Sequence, residues 1–193
     1  MTAEVETREA RLVCPAEHAG WLTTPLRRLV TDPRRILRWI AGPGDVVADL
    51  GCGPGFFTLP LAQAVGEGGS VVAVDLQAAM LEQLQRRAEK AGVLDRICAH
   101  QCGPDALGLA EFAPLDAALA FWMVHEVPSR VRFLAEVSEA LRPGGRLLVV
   151  EPRGHVSAAD WAATLDDAVA AGFAVAARPR VAFSRAARLE KPV

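Results

Sequence analysis

The sequence predicts a doubly wound α/β fold, a mostly parallel sheet with helices on both faces. Three observations carry that expectation. Short, continuous apolar runs alternate with longer amphipathic segments, as strands buried on both sides alternate with covering helices. A glycine-rich loop, Gly51-Cys52-Gly53-Pro54-Gly55, follows the first run and opens a helical segment. An acid, Asp75, closes the second run.

The elements follow in order. Thr24-Pro25 reads as a helix start, with Thr24 as cap and proline in the first turn. A second start at Asp32-Pro33 leads to Trp39, with Ile36, Leu37 and Ile40 at helical spacing, and Gly42-Pro43-Gly44 ends it. Val46–Leu50 is then a strand, Phe56–Val65 a helix, Val71–Asp75 a strand, and Ala78–Ala91 a helix closed by Gly92. Arg96–His100 is a weaker strand. Leu115–Trp122 is a strand and Arg130–Leu141 a helix. Pro143-Gly144-Gly145 turns the chain into a strand over Arg146–Glu151. Ala158–Ala171 is a helix closed by Gly172. Phe173–Ala177 and Val181–Phe183 are expected as an antiparallel pair around Pro179. The chain divides into an N-terminal segment, residues 1–32, and the main α/β domain, residues 33–193.

Bulk composition narrows the function classes. With 193 residues, 51% hydrophobic and 23% charged, the chain is sized for one globular domain with its own core. A net charge of -2 supplies no basic field for nucleic acid. Arg27, Arg28, Arg34, Arg35 and Arg38 read as the polar face of a helix. The first nine residues are polar, unlike a secretory leader. The apolar stretch 115–127 is too short to span a bilayer and is interrupted by Asp116, His125 and Glu126. A cytoplasmic location is expected, with Cys14, Cys52, Cys98 and Cys102 reduced and in no zinc-like spacing, so no metal site is expected.

The glycine loop and its acid specify the ligand class. Glycines permit a sharp backbone turn and close ligand approach, and in open α/β sheets this first loop faces the ligand crevice. About 20 residues beyond the loop, Asp75 is positioned to accept hydrogen bonds from ribose hydroxyls. The dinucleotide fingerprint needs a small residue at its third place, and Phe56 stands there. Asp49 beside the loop would repel a pyrophosphate and suits the positive methionyl amine of S-adenosylmethionine (SAM).

Val46–Thr58 (VVADLGCGPGFFT), Val71–Gln77 (VVAVDLQ), Asp116–Pro128 (DAALAFWMVHEVP) and Leu141–Pro152 (LRPGGRLLVVEP) resemble the successive motifs of class I SAM-dependent methyltransferases. The resemblance covers about residues 33–152. It implies a sheet of about seven strands with an antiparallel final strand, SAM as cofactor, and methyl transfer; the lack of a basic field and of an extra recognition domain favours a small-molecule acceptor. It assigns Asp49 and Gly51 to the methionyl end, Cys52, Gly53 and Gly55 to the loop, and Asp75 to the ribose, with Leu76 and Gln77 flanking the adenine. Met80 and Leu81 are expected in the core. Many members carry an acid after the third strand that touches the adenine amino group. Here the stretch reads His100-Gln101-Cys102-Gly103-Pro104-Asp105. Asp105 from a shifted position and a Cys102/Gly103 backbone contact stand as alternatives.

On the reaction side, methyl transfer is an in-line displacement in which positioning supplies much of the effect, and a base is needed only where the acceptor must lose a proton. His125 and His155 are the candidate bases, the first beside Glu126. Phe121 and Trp122 can wall the cationic methyl group or serve as core. Cys98 is expected in the core. Cys14 with Cys102 could hold a soft metalloid, as thiolates do. His18, Trp21 and Leu22 mark residues 13–28 as a substrate lid. The tail Phe183-Ser184-Arg185-Ala186 is expected to be structural, with Arg185 and Arg188 exposed. Neither nucleic acid nor a membrane is expected as partner, and a homodimer is left open. The competing readings are a SAM-binding sensor or accessory protein without turnover, a thiol-assisted metalloid methyltransferase, and a nicotinamide oxidoreductase. Phe56 and the absence of any tyrosine disfavour the last.

Overall fold

The computed structural model describes residues 31–193. The expected lid, with Cys14, His18, Trp21, Leu22 and the Thr24-Pro25 helix start, lies outside the described residues, as do Arg27 and Arg28.

Among the described residues, five helices and seven strands follow in the expected alternation. They are α1 (Pro33–Leu37), β1 (Val46–Leu50), α2 (Thr58–Val65), β2 (Ser70–Asp75), α3 (Ala78–Ala91), β3 (Ile97–Gln101), β4 (Leu115–Phe121), α4 (Arg130–Ala140), β5 (Leu141–Pro152), α5 (Ala158–Ala170), β6 (Ala174–Ala177) and β7 (Ser184–Glu190). The strands form one sheet in the order β3-β2-β1-β4-β5-β7-β6. The first five run parallel, and β7 pairs antiparallel with both β5 and β6.

Alternation along the central strands explains the two-sided core. On β1, Ala48 and Leu50 join Phe133, Leu134 and Val137 of α4 and Trp161 and Leu165 of α5. Val47 faces the other way, toward Ile36 and Leu37 of α1 and Leu61 and Val65 of α2. Leu50, Leu61, Leu119, Leu134 and Leu148 are fully buried, each contributing about 1.5–3 kcal/mol of transfer free energy. Local signals set the helix ends. Asp32 caps α1 with proline at its start. Ser129 and Ser157 cap α4 and α5. Gly92 closes α3 in the left-handed conformation, which glycine adopts without a Cβ penalty.

Five expectations are corrected. The helix after the glycine loop begins at Thr58 rather than Phe56, because tight turns continue through Phe57. The Pro-Gly-Gly stretch is an excursion inside β5: Leu141 stands opposite Leu115, whereas Arg146 stands opposite Ala117. The final antiparallel strand begins at Ser184, and residues 181–183 belong to the turn before it. Because β7 lies between β5 and β6, Arg185 and Arg188 are half-buried rather than exposed, and Arg185 donates to the Val156 carbonyl at 2.8 Å. Cys98 is exposed, not core, because β3 is the edge strand. Among the described residues, no helix is long and apolar enough to cross a membrane.

Candidate functional site

The order of the sheet reverses at β1, where β2 lies on one side and β4 on the other. Ligands in such sheets bind outside the carboxyl ends of the strands at this switch point. A cavity of about 530 Å³ opens there, bounded by the glycine loop, Asp75, Cys102, Phe121 and His125. Its size falls in the range of small-molecule and cofactor sites.

The glycine loop is held from three sides. Gly51 has φ +67°, and a Cβ on it would lie 3.1 Å from Met123, in the segment following β4. Gly55 has φ +86°, and a Cβ there would collide with Leu84 of α3. Arg87 of α3 donates to the Pro54 carbonyl. The loop therefore needs glycine for conformation at both places and for close approach of its neighbours.

Two buried acids face this loop. Asp49 is 2% exposed and accepts from the Thr58 hydroxyl at 2.6 Å. Asp75 is 8% exposed and accepts from the amides of Gly53 at 2.8 Å and Gln77 at 2.9 Å. Burial raises the proton affinity of Asp75, while those amides oppose the rise. No basic side chain pairs with Asp75 among the described residues. A buried carboxylate at a cavity wall with spare lone pairs and no cation fits a ligand bearing hydroxyl donors. The acid-lined loop opposes a pyrophosphate.

Leu76, Gln77, Met80, Cys102 and Gly103 also line the cavity. Leu76 is partly exposed at the rim, whereas Met80 and Leu81 are buried as expected. The Cys102 amide donates to the Asp75 carbonyl at 3.1 Å, joining the ends of β2 and β3. Burial, with the charge of Asp75, pushes the Cys102 thiol up to about 11. Cys52 is also held protonated, by burial and by Asp49 and Asp75. These protonated thiols work against thiolate ligation, and Cys14 lies outside the described residues. Among the described residues no cluster of three or more His, Cys, Asp or Glu is arranged to hold a metal ion. Asp105 lines the cavity with an exposed side chain, 3.7 Å from Arg132.

The opposite wall carries the histidines. The β4–β5 register sets Phe121 beside Val150, so Glu151 lies just past the end of β4. A short 3-10 turn, Val124–Glu126, then folds His125 back over it. Glu151 is 1% exposed. One carboxylate oxygen accepts from the Val124 amide at 3.0 Å, and the other lies 2.5 Å from His125 Nδ1. This hydrogen bond raises the pKa of His125 above its ordinary value, against the effect of burial. His155 stands edge-on to His125 with ring centroids 5.6 Å apart. Glu126 lies 3.9 Å from His125 Nε2, and burial pushes its pKa up to about 7. His125 and His155 also border a second cavity of about 250 Å³, lined by Glu151, Arg130, Asp160 and Thr164.

Of the sequence-derived site residues, Asp49, Gly51, Cys52, Gly53, Asp75, Leu76, Gln77, Cys102, Gly103, Phe121, His125 and His155 line this cavity, whereas Gly55 does not; Glu136 lines it as well, and Glu151 stands behind His125. Glu136 of α4 accepts from the amides of Leu107, Gly108 and Leu109, fixing the loop after β3. The signal for Glu151 was an acid ending a fully apolar strand. Its partner became visible only with the strand register.

A family model described as "Methyltransferase domain" matches residues 47–145. A demethylmenaquinone methyltransferase of Symbiobacterium thermophilum is 34% identical over 114 residues, covering 56% of this chain and 43% of that protein. A nocamycin O-methyltransferase of Saccharothrix syringae is 29% identical, covering 81% of this chain and 55% of that protein. The chain thus spans less than two thirds of the length of these relatives. A SAM-dependent methyltransferase of Aquifex aeolicus superposes with a TM-score of 0.82 at 22% identity, covering 93% of this chain and all of that one.

Proposed function

Because the chain belongs to the methyltransferase-domain family and has the class I fold, we propose that it transfers a methyl group from SAM to a small-molecule acceptor, with His125 as general base. The single observation that carries this reading is the convergence of the Asp75 wall and the His125–Glu151 pair on one cavity.

Asp49 and the loop from Gly51 to Gly55 would hold the methionyl end, Asp75 the ribose, and Leu76, Gln77, Cys102 and Gly103 the adenine end. Phe121 would lie against the reacting end. SAM, when bound, supplies an electrophilic methyl group on a positive sulfur. The remaining work belongs to the chain's own residues. An ionised Glu151 only accepts, so the neutral imidazole carries its proton on Nδ1 and leaves Nε2 as acceptor. Nε2 takes the acceptor's proton as the nucleophile attacks. Glu151 then stabilises the imidazolium, and the small polar cavity behind the ring gives the proton a way out. His155 braces the ring of His125 from its edge and is the second candidate base.

The test is release of S-adenosylhomocysteine from SAM across a panel of phenols, amines, thiols and arsenite. Release with one class supports the transferase and names the attacked atom. SAM binding without release from any acceptor would favour the sensor reading. Release only with arsenite, lost on Cys102→Ser, would favour the metalloid reading.

A further inference from the structure

The acceptor end of the cavity is built in a way that methyl transfer alone does not require. Four rings run in series along one wall. Phe56 and Phe57 meet edge to face at 5.0 Å, Phe57 and Phe121 lie 4.4 Å apart, and Phe121 and Trp122 lie 5.1 Å apart. All four line the cavity, and Phe183 lines its mouth.

The last two aromatics of this set sit on unusual backbone. Trp122 has φ 60° and Phe183 has φ 54°, a region that bulky residues adopt only when the surroundings impose it. Local hydrogen bonds impose it here. The Trp122 amide donates to the Val150 carbonyl at 2.7 Å, and its indole N–H donates to the Ser184 hydroxyl at 3.0 Å. Arg153 donates its amide to the Phe183 carbonyl and its Nε to the Ser184 carbonyl. Phe183 is held on this frame while its own side chain remains 76% exposed. The ring is thus held at the cavity mouth with its surface free to meet a ligand.

Charge selects further. Beside His125 the cavity carries the acid Glu126, and among the described residues its one lining arginine, Arg132, is paired with Asp105. An anionic acceptor would meet a carboxyl group at this end and no free guanidinium among the described residues. A planar, uncharged acceptor would meet rings.

We propose that Trp122 and Phe183 form a subsite for a neutral, planar aromatic acceptor bearing a hydroxyl group, with that hydroxyl directed at His125 Nε2. The inference rests on the transferase reading and narrows its substrate class. The transfer balances simply: the acceptor oxygen forms the new bond to the methyl carbon as the carbon–sulfur bond breaks, and the hydroxyl proton goes to His125.

Binding, not turnover, tests it. The protein saturated with S-adenosylhomocysteine is titrated calorimetrically at neutral pH with 2-naphthol, with its saturated analogue decahydro-2-naphthol, and with the anion 3-hydroxy-2-naphthoate. The expected result is that 2-naphthol binds about tenfold or more tightly than either comparator. Phe183→Ala, a change at an exposed side chain, should weaken 2-naphthol by about tenfold and leave S-adenosylhomocysteine affinity unchanged. Equal binding of the three probes, no binding of 2-naphthol, or an unaffected Phe183→Ala variant would overturn the subsite. Failure of the wild-type protein to bind S-adenosylhomocysteine at all would instead overturn the transferase reading beneath it.

Discussion

Glu151, at the end of one strand, holds the Nδ1 edge of His125, just past the end of its parallel neighbour, at 2.5 Å and holds the adjacent Val124 amide with its other oxygen. The carboxylate therefore fixes the ring, and in the proposed mechanism it sets the tautomer with the proton on Nδ1. In Glu151→Gln the amide group can keep the Val124 bond but presents N–H to Nδ1, which forces the proton onto Nε2 and removes the base. Turnover should fall by about 100-fold or more, with SAM affinity retained. The hydrogen bond to Glu151 raises the His125 pKa, so wild-type turnover should rise with pH through a value above 6.5. In the variant any residual rise should move to lower pH. An unchanged pH–rate profile would remove Glu151 from the mechanism.

Asp75 offers its carboxylate to the cavity from an 8% exposed position. Asp75→Asn should weaken SAM by about 1–3 kcal/mol, the cost of losing a charged hydrogen-bond acceptor. Burial raises the Asp75 pKa, so wild-type affinity should start to fall on acidification above the usual carboxylate range. Calorimetry across pH reads both effects, and pH-independent binding by the wild type would contradict the assignment.

Glu126 is held near 7 by burial, against an ordinary 4.5. A folded-state pKa raised above the unfolded value means that the folded protein favours the protonated acid. The associated stability is fully present below about pH 4.5 and is lost as pH rises through about 7. Glu126→Gln should therefore melt close to wild type in acid and gain roughly 1–3 kcal/mol at alkaline pH, read as a Tm higher by several degrees. A lower Tm at alkaline pH would show that the ionised carboxylate of Glu126 stabilises the fold despite its burial.

Gly55 combines a left-handed φ with contact to Leu84. Gly55→Ala should cost about 2 kcal/mol or more, from backbone strain and overpacking. A double variant with Leu84→Ala should recover only the packing part relative to Leu84→Ala alone. Denaturant melts give the coupling, and full additivity would show that the two residues do not collide.

The parts of the fold visible in the sequence were those with a local cause. The strands β1, β2 and β4 are mostly apolar because helices cover both of their faces, and Asp75 and the glycine loop announce a ligand at fixed spacing. The strand at Ser184–Glu190 was hidden. Its residues, Ser-Arg-Ala-Ala-Arg-Leu-Glu, look polar, yet Ser184, Ala186, Ala187 and Leu189 are buried, and Arg185 finds a carbonyl through tertiary contact. Cys98 looked like core in an apolar segment, but which strand forms the sheet edge is a property of topology. His125 could be named from its place beyond β4. Its partnership with Glu151 spans 26 residues and exists only because β4 and β5 lie side by side in that register.

The most direct measurement is S-adenosylhomocysteine release at saturating SAM and acceptor, compared between the wild type and His125→Gln. The wild type should release product with a hydroxyl-bearing acceptor. The variant should bind SAM as tightly yet release product about 100-fold more slowly or less. Equal rates in the two proteins would contradict a general base at His125, and no release from the wild type with any acceptor, despite SAM binding, would contradict the transferase itself.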